Sequence, residues 1–343
     1  MSRLRTGVLL VAGLAGVPAL AAGPQRAAVV VGIEAYDHLP AELRIRDARQ
    51  DAVRVAEVLE TQAGFQQVRL LTDASATRAA METLLRGGFS LGPEDLFLLY
   101  FVGQGIGGDF GDPRLLTYDA DPAAIDQSGW PVAELALALQ QGVRAGHILV
   151  VTDASHAGTL EDVALMGPTP DQWPEALQAS MVLASSGPRE IAQASVFAEA
   201  FVTALGGRAD ASGEGQVSSG ELVRHLVESV PGATGDHQHP TVSALYDPTI
   251  VIADPGVVAA MGPEVIDRVK FVFHAGVSPT VQCAGAPVTV CDPSCYVWDL
   301  SPGSCEASAV FGERRQAFTA EVEHRGAWVC EDVRGRLSCA PKL

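Results

Sequence analysis

Two apolar segments, each ending in a short turn of small residues, constrain the fold of this chain more than any other feature. Residues 95–105 end in V-G-Q-G, and residues 146–158 end in D-A-S-H-A-G. Strand-to-turn segments of this kind present a nucleophile and its base at the edge of a sheet. We therefore expect a site that includes Gln104 and Ser155, although each of them, taken alone, is an ordinary turn residue.

Strand-like and helix-like segments alternate through most of the chain. Strands are predicted near residues 27–33, 66–71, 95–102, 146–152, 180–185 and 241–245, and helices near 46–62, 75–86, 131–140, 195–206 and 219–229. This alternation predicts an α/β fold whose mostly parallel central sheet carries helices on both faces. Sites in such folds lie at the carboxyl ends of the strands, where both turns are expected.

Several shorter motifs surround the two turns in a fixed order. They are the apolar run 27–33 followed by Tyr36, R-D-A at 46–48, L-L-T-D at 70–73, L-L-T-Y-D-A-D at 115–121 and M-V-L-A-S-S at 181–186. In type, order and spacing they resemble the caspase and metacaspase family over about residues 27–255. The resemblance implies a caspase-like sandwich with a mostly parallel central sheet.

The resemblance also places the family's catalytic His at Gln104 and its catalytic Cys at Ser155. The matching turns in the family usually read S-G-H-G and D-A-C-H-S-G. An amide does not titrate near neutral pH, and a serine hydroxyl needs a positioned base. Loss of the nucleophile or base of such a unit lowers turnover on the order of a millionfold. The sequence therefore favours a pseudopeptidase that binds or scaffolds through a degenerate cleft.

Two enzymatic alternatives stay open. The chain would be either an active caspase-family endopeptidase or a Ser155-dependent hydrolase, in both cases cleaving after basic residues. His237 and His239 lie in a loop flanked by Gly and Pro and are candidate bases. His156 adjoins Ser155, so on an extended segment their side chains point apart.

The resemblance also implies that two acidic residues form a substrate-binding pocket. In metacaspase-like and bacterial members, an Asp two residues before the nucleophile and an Asp in the N-D-A motif favour a basic residue beside the scissile bond. Asp153 and Asp47 occupy these positions here. Taken alone, Asp47 is a helix N-terminal acid and Asp153 a turn aspartate. The predicted partner is a peptide or protein, with a preference for basic segments.

The charge of the chain supports a cationic partner. Its formal net charge is −18, from 41 acidic and 23 basic residues, and it contains no run of Lys or Arg. Nucleic acid and anionic membranes are therefore excluded as expected partners. The same charge also fits a plain soluble surface.

The amino terminus predicts export. Arg3 and Arg5 precede an apolar stretch at 7–20 that is too short to span a bilayer, and small residues follow it. We expect residues 1–22 to be a signal peptide, the protein to be periplasmic or extracellular, and no later segment to span a membrane. The caspase-like domain is then predicted over residues 23–255.

All cysteines lie near the end of the chain. They are Cys283, Cys291, Cys295, Cys305, Cys330 and Cys339. An even number in a short exported segment predicts disulfides, with the pairing left open, and the absence of C-x-x-C argues against zinc. After a linker at 256–275, residues 276–343 are predicted to form a small disulfide-rich β module. Gly326 predicts a hairpin turn between the runs 317–323 and 327–330.

Residues 210–221 match the register of a calcium-binding EF-hand loop. Asp210, Ser212, Glu214 and Glu221 take ligand positions one, three, five and twelve, and Gly215 takes position six. The resemblance implies a similar stretch in bacterial caspase-like proteins, from which this chain departs by Ser212 in place of an acid and by Glu214 in place of Asp. The alternative is a polar turn before a helix that has Glu221 in its first turn. The sequence suggests no cofactor other than calcium at this loop.

Overall fold

The structure is a computed structural model that describes residues 23–107, 112–154, 159–160, 163–164, 167–175, 180–256, 268–274, 277–283, 288–291, 294–298, 303–312, 314–322, 326–333 and 336–342. The predicted signal peptide at 1–22 lies outside the described residues. So do Ser155 and His156.

The strands of the first part of the chain vary from two to seven residues in length. In chain order they are β1 (Arg26–Gly32), β2 (Gln67–Thr72), β3 (Leu96–Val102), β4 (Gly105–Ile106), β5 (Arg114–Leu115), β6 (Trp130–Pro131), β7 (His147–Asp153), β8 (Thr159–Leu160), β9 (Val163–Ala164), β10 (Val182–Ala184), β11 (Val217–Ser218), β12 (Thr241–Val242) and β13 (Val251–Ala253).

Six of these strands form the central sheet, in the order β12–β10–β7–β3–β1–β2. All neighbours are parallel except the antiparallel edge strand β12. Strands β1 and β3 are buried along their whole length because both faces of the sheet are covered. The remaining strands pair as β4–β5–β6, β8–β9 and β11–β13.

Helices cover both faces of the sheet. In the described part of the chain they are α1 (Ala48–Thr61), α2 (Arg78–Gly87), α3 (Ile125–Ser128), α4 (Val132–Gly142), α5 (Val196–Thr203), which continues as a π turn over Ala204–Arg208, and α6 (Ser219–Thr234). Apolar side chains of α1, α5 and α6 pack on one face and those of α2 and α4 on the other. The predicted α/β fold with a mostly parallel sheet is therefore confirmed.

The end of the chain forms two further four-stranded sheets. Their strands are β14 (Arg268–Phe273), β15 (Val277–Cys283), β16 (Thr289–Val290), β17 (Ser294–Trp298), β18 (Gly303–Phe311), β19 (Arg314–Val322), β20 (Gly326–Asp332) and β21 (Leu337–Lys342). The sheet orders are β17–β14–β20–β21 and β16–β15–β18–β19. Buried residues of both sheets share one apolar cluster, which includes Val269, Phe271, Ala307 and Ala309.

Three disulfides hold this β module, as the sequence predicted. Cys283 is bonded to Cys305 and Cys330 to Cys339, each across two antiparallel neighbours, while Cys291 is bonded to Cys295. Because β16 and β17 lie in different sheets, the bond between Cys291 and Cys295 spans the short connection from one sheet to the other. Covalent cross-links of this kind restrict the unfolded chain of a small module.

Two predictions for this region need correction. The prediction of a hairpin at Gly326 is wrong. Strand β19 pairs with β18, whereas β20 pairs with β14 and β21 in the other sheet. Part of the stretch predicted as a linker is strand β14, whose Val269, Phe271 and Phe273 are buried in the module. The strands of the module therefore begin before residue 276. Within the described ranges, no helix has the length and apolar character needed to cross a membrane.

Candidate active site

Gln104 lies just beyond β3 and is almost completely buried. Its Nε2 donates a hydrogen bond to the backbone oxygen of Leu43 at 3.0 Å, and its backbone N–H donates to the Tyr36 hydroxyl at 2.5 Å. Both partners belong to the connection between β1 and α1. Gln104 Oε1 is buried and has no hydrogen-bond partner among the residues that the structure describes. The amide thus stabilises the connection between β1 and α1, and it has no group that exchanges protons near neutral pH.

Strand β7 brings the second turn to the same edge of the sheet. Its register pairs Val102 with Asp153, so the chain leaves β3 and β7 at neighbouring positions. Ala154, the last described residue before Ser155, is buried. The structure therefore places the starts of the two turns side by side, while Ser155 itself lies outside the described residues.

A third segment lies against both turns. A Cβ atom added to Gly105 would lie 2.9 Å from the Cα of Gly167 and 3.3 Å from the Cβ of Ala154, and one added to Gly167 would lie 2.7 Å from the Cβ of Ala154. Only glycine allows backbones to approach so closely. Residues 167–170 are all buried. They form one wall of the site.

Asp153 ends β7 with a buried carboxyl group, and the side chain is only 2% exposed. Within the described ranges, its Oδ1 has no hydrogen-bond partner. Burial raises the pKa of Asp153 to about 7; the nearby Ser185 hydroxyl lowers it, and the negative charge of Asp51 raises it further. The Ser185 Oγ is itself buried and lies near Asp153, but it does not reach hydrogen-bond geometry with any residue that the structure describes.

Asp51 is the neighbouring acid that the sequence analysis missed. It lies on α1 and is only 2% exposed. Its Oδ1 pairs with Arg54 at 2.5 Å, and its Oδ2 accepts a hydrogen bond from Ser195 at 3.0 Å. Burial raises the pKa of Asp51, the bonds from Arg54 and Ser195 lower it, and Asp47 raises it. A signal was present, because Asp51 shares the face of α1 that carries Ala48, Ala52 and Val55.

Asp47 and Asp153 do not sit in equivalent surroundings. Asp47 is exposed, precedes α1 with a left-handed φ of 65°, and makes no capping hydrogen bond with its side chain. Its charge acts on Asp51, and Asp51 in turn acts on Asp153. The acids therefore form a series that runs from the surface into the core.

Further buried polar atoms line the inner end of this series. The Tyr100 hydroxyl and Ser185 Oγ are buried and have no hydrogen-bond partner within the described part of the chain. Burial raises the pKa of Tyr100 well above its usual value, and the negative charges of Asp153 and Asp51 add to that effect. Buried polar groups are normally hydrogen-bonded, so a group of unpaired ones marks a place where a ligand or water is expected.

The histidine predicted as a candidate base is held by two carboxylates. His239 Nδ1 lies 2.8 Å from Glu190 Oε1, and its Nε2 lies 3.0 Å from Asp236 Oδ1. These hydrogen bonds raise the pKa of His239. Both ring nitrogens are therefore engaged. His237, the second candidate, is exposed.

The loop 210–221 closes on its own backbone. The Asp210 carboxylate accepts N–H groups of Gly213, Glu214 and Gly215. Glu221 accepts those of Ala211, Ser212 and Ser218, and its pKa falls to about 2 mainly through the Ser218 N–H. Among residues with described positions, no group of three or more His, Cys, Asp or Glu could hold a metal ion. Calcium at this loop stays a prediction.

One family model and several solved structures are similar to this chain. The model of the caspase-domain family matches residues 25–248. A crystal structure of a protein from Geobacter sulfurreducens is 19% identical, with 68% of this chain and 97% of that chain covered and a TM-score of 0.45. Caspase-1 from Spodoptera frugiperda is 13% identical, with 73% and 98% covered and a TM-score of 0.41. No curated protein matches the chain.

Proposed function

The chain belongs to the caspase-domain family, and from this membership we propose that it is an exported pseudopeptidase that binds basic segments of peptides or proteins. The binding site is the cleft at the carboxyl ends of β3 and β7. Its residues at the positions of the family's base and nucleophile are Gln104 and Ser155.

The observation that carries this proposal is the environment of Gln104. Its side-chain amide donates a hydrogen bond to the carbonyl of Leu43, and its backbone N–H donates one to the Tyr36 hydroxyl. Gln104 therefore has a structural role in joining two loops. A residue that cannot take up a proton cannot activate a serine hydroxyl, whose deprotonation needs a base within hydrogen-bonding reach. The other candidate base, His239, is engaged by Glu190 and Asp236.

Binding of a cation is supported by the charges that remain. Asp47 offers an exposed carboxylate at the start of α1. Asp153 lies deeper, and one of its oxygens has no hydrogen-bond partner in the described part of the chain. A basic side chain would supply that oxygen with a charged donor, which forms stronger hydrogen bonds than a neutral one. The overall charge of −18 attracts such ligands at long range.

Export is supported by the cysteines and by the sequence of residues 1–22. All six cysteines are paired in the β module, and disulfides persist in oxidising compartments such as the periplasm and the extracellular space.

The test combines binding and cleavage in one set of samples. Mature protein is titrated with a fluorescent peptide that contains arginine and with the same peptide containing citrulline, which keeps the shape of the side chain without its charge. We expect binding of the arginine peptide only, weakened at least tenfold by Asp153→Asn. The control Glu94→Gln removes one exposed acid at the opposite end of β3 and should not change affinity.

Mass spectrometry of the same samples decides between the pseudopeptidase and the enzymatic alternatives. We expect the peptide to stay intact. Cleavage after arginine that disappears in Ser155→Ala would establish a Ser155-dependent hydrolase instead. Equal affinity for the arginine and citrulline peptides would refute the acidic site.

A further inference from the structure

Asp153 is a buried carboxyl group without a counter-ion in the part of the chain that the structure describes. It is 2% exposed, and its Oδ1 accepts no hydrogen bond from any residue that the structure describes, although the Ser185 hydroxyl lies near enough to offset part of the effect of burial on its pKa. Taking a carboxylate out of water without a cation or a full set of hydrogen bonds is so unfavourable that such a group normally becomes neutral. The Asp153 carboxylate therefore has to be neutralised, either by a proton or by a bound cation.

Among the described neighbours of Asp153 there is no unpaired cation. From α1, Asp153 faces Asp51. The charge of Asp51 is already paired with Arg54, and Arg54 is also bonded to Glu199 of α5. From β3, Asp153 faces the neutral hydroxyl of Tyr100, and after β10 it faces Ser185. Asp51 therefore adds negative charge near Asp153. The nearby cation, Arg54, is already paired with Asp51 and Glu199.

We propose that Asp153 carries a proton while the site is empty and exchanges that proton for the cationic head group of a bound arginine or lysine side chain. This inference rests on the function proposed above. The proton leaves Asp153 for the solvent as the cation enters, so the buried site holds one neutral acid before binding and one ion pair after it. The ligand thus supplies the counter-ion that the fold leaves out.

The exchange makes binding depend on pH in one direction. Below the pKa of Asp153, which burial raises to about 7, each bound ligand must displace a proton, so affinity is expected to fall about tenfold for each unit by which the pH drops. Above that pKa the carboxylate is already charged and affinity levels off. Binding is therefore sensitive to pH around neutrality, unlike binding to an ordinary exposed aspartate.

The experiment is calorimetric titration with the arginine peptide over a pH range from about 5 to about 9. Each titration is repeated in two buffers whose heats of ionisation differ, so that the number of protons released is measured directly. We expect close to one proton released per bound peptide at pH about 6 and almost none at pH about 8.5. Affinity that is constant over the whole range, without proton release, would overturn the exchange while leaving the proposed binding function intact.

Two variants sharpen the result. Asp51→Asn removes the negative neighbour, so the pH at which affinity levels off should move downwards. Glu94→Gln changes the net charge by the same amount at a distant exposed position and should leave that pH unchanged. An unchanged pH in a folded Asp51→Asn protein would contradict the electrostatic coupling on which the exchange depends.

The protonation state of Asp153 can also be measured in the protein without peptide. Carboxyl carbon signals from NMR, assigned by comparison with Asp153→Asn, should show one aspartate that still holds its proton at pH about 6. If no basic peptide binds, the proposed function and the exchange both fail, and this titration then reports on the proton alone. Peptide binding together with an Asp153 that is already charged at that pH would remove only the exchange.

Discussion

The side chain of Gln104 donates a hydrogen bond to the backbone oxygen of Leu43 at 3.0 Å, and both groups are buried. This bond joins the turn after β3 to the connection between β1 and α1. Tyr36 adds a second link, because its hydroxyl accepts the backbone N–H of Gln104. At the position where the family resemblance implies a catalytic base, the chain therefore has a residue that stabilises the fold.

The first prediction is that Gln104→Glu destabilises the protein by about 1–3 kcal/mol. The change keeps the shape of the side chain but replaces a permanent donor to Leu43 by a carboxyl group. In this buried place that group must either face the Leu43 oxygen as a second acceptor or take up a proton, and both are unfavourable near neutral pH. Urea unfolding of the wild type and the variant measures the difference. Gln50→Glu, at an exposed position on α1, is the matched control and should stay within about 0.5 kcal/mol of the wild type. Equal stability of both variants would mean that the Leu43 bond contributes nothing.

The second prediction concerns stability and pH. Burial raises the folded-state pKa of Asp153 from 3.8 to about 7, so the folded state binds more protons than the unfolded state between these values. Stability from this group is therefore fully present below pH about 4 and is lost as the pH rises through about 7. The full shift corresponds to at most about 4 kcal/mol. Asp153→Asn should remove this loss, and parallel pH profiles of the two proteins would contradict it.

The third prediction has the opposite sign. The Ser218 and Ser212 amides lower the pKa of Glu221 from 4.5 to about 2, so the stability from this group is present above pH about 4.5 and is lost as the pH falls towards about 2. Glu221→Gln should weaken the capping box that begins α6, with a loss of about 1 kcal/mol near neutral pH. Thermal unfolding at several pH values follows both effects.

Calcium provides a second use of the same variant. We predict weak binding at best, with a dissociation constant no tighter than about 10⁻⁴ M, the range of extracellular modules. The oxygens of Glu221 and Asp210 already accept backbone N–H groups, so calcium would have to compete with them. Calorimetry on the wild type and on Glu221→Gln decides. Micromolar affinity that is lost in the variant would contradict the prediction.

The fourth prediction concerns the β module. Thiol titration of denatured, unreduced protein should find no free cysteine, since all six are paired. Replacing Cys283 and Cys305 together by Ser should lower the stability of the module by about 2–4 kcal/mol, because the bond between β15 and β18 no longer restricts the unfolded chain. Three or more free thiols would contradict the pairing.

The sequence was sufficient for the central sheet because its strands are marked by continuous apolar runs. Strand β3 (Leu96–Val102) and strand β7 (His147–Asp153) are each within one residue of the predicted bounds at both ends. Helix α1 was equally clear, since apolar residues recur on one face and polar ones on the other. Local patterns of this type depend on residues close together in the sequence.

Features that depend on distant residues were not predicted. The alternating runs on either side of Gly326 correctly indicated strands, but alternation does not say which strands pair, and β19 and β20 lie in different sheets. Asp51 was missed for a similar reason. Its partner Ser195 is 144 positions away, so only the fold brings the two groups together.

The central proposal is that this caspase-domain chain binds peptides at the ends of β3 and β7 and lacks the two groups that perform the family's chemistry. The most direct measurement is cleavage of arginine and lysine peptides by the wild type, the single variants Gln104→His and Ser155→Cys, and the double variant. We predict no turnover for the first three and cleavage after the basic residue for the double variant, because nucleophile and base act as a unit. Turnover by the wild type that Ser155→Ala abolishes, or a folded double variant that cleaves nothing, would contradict the claim.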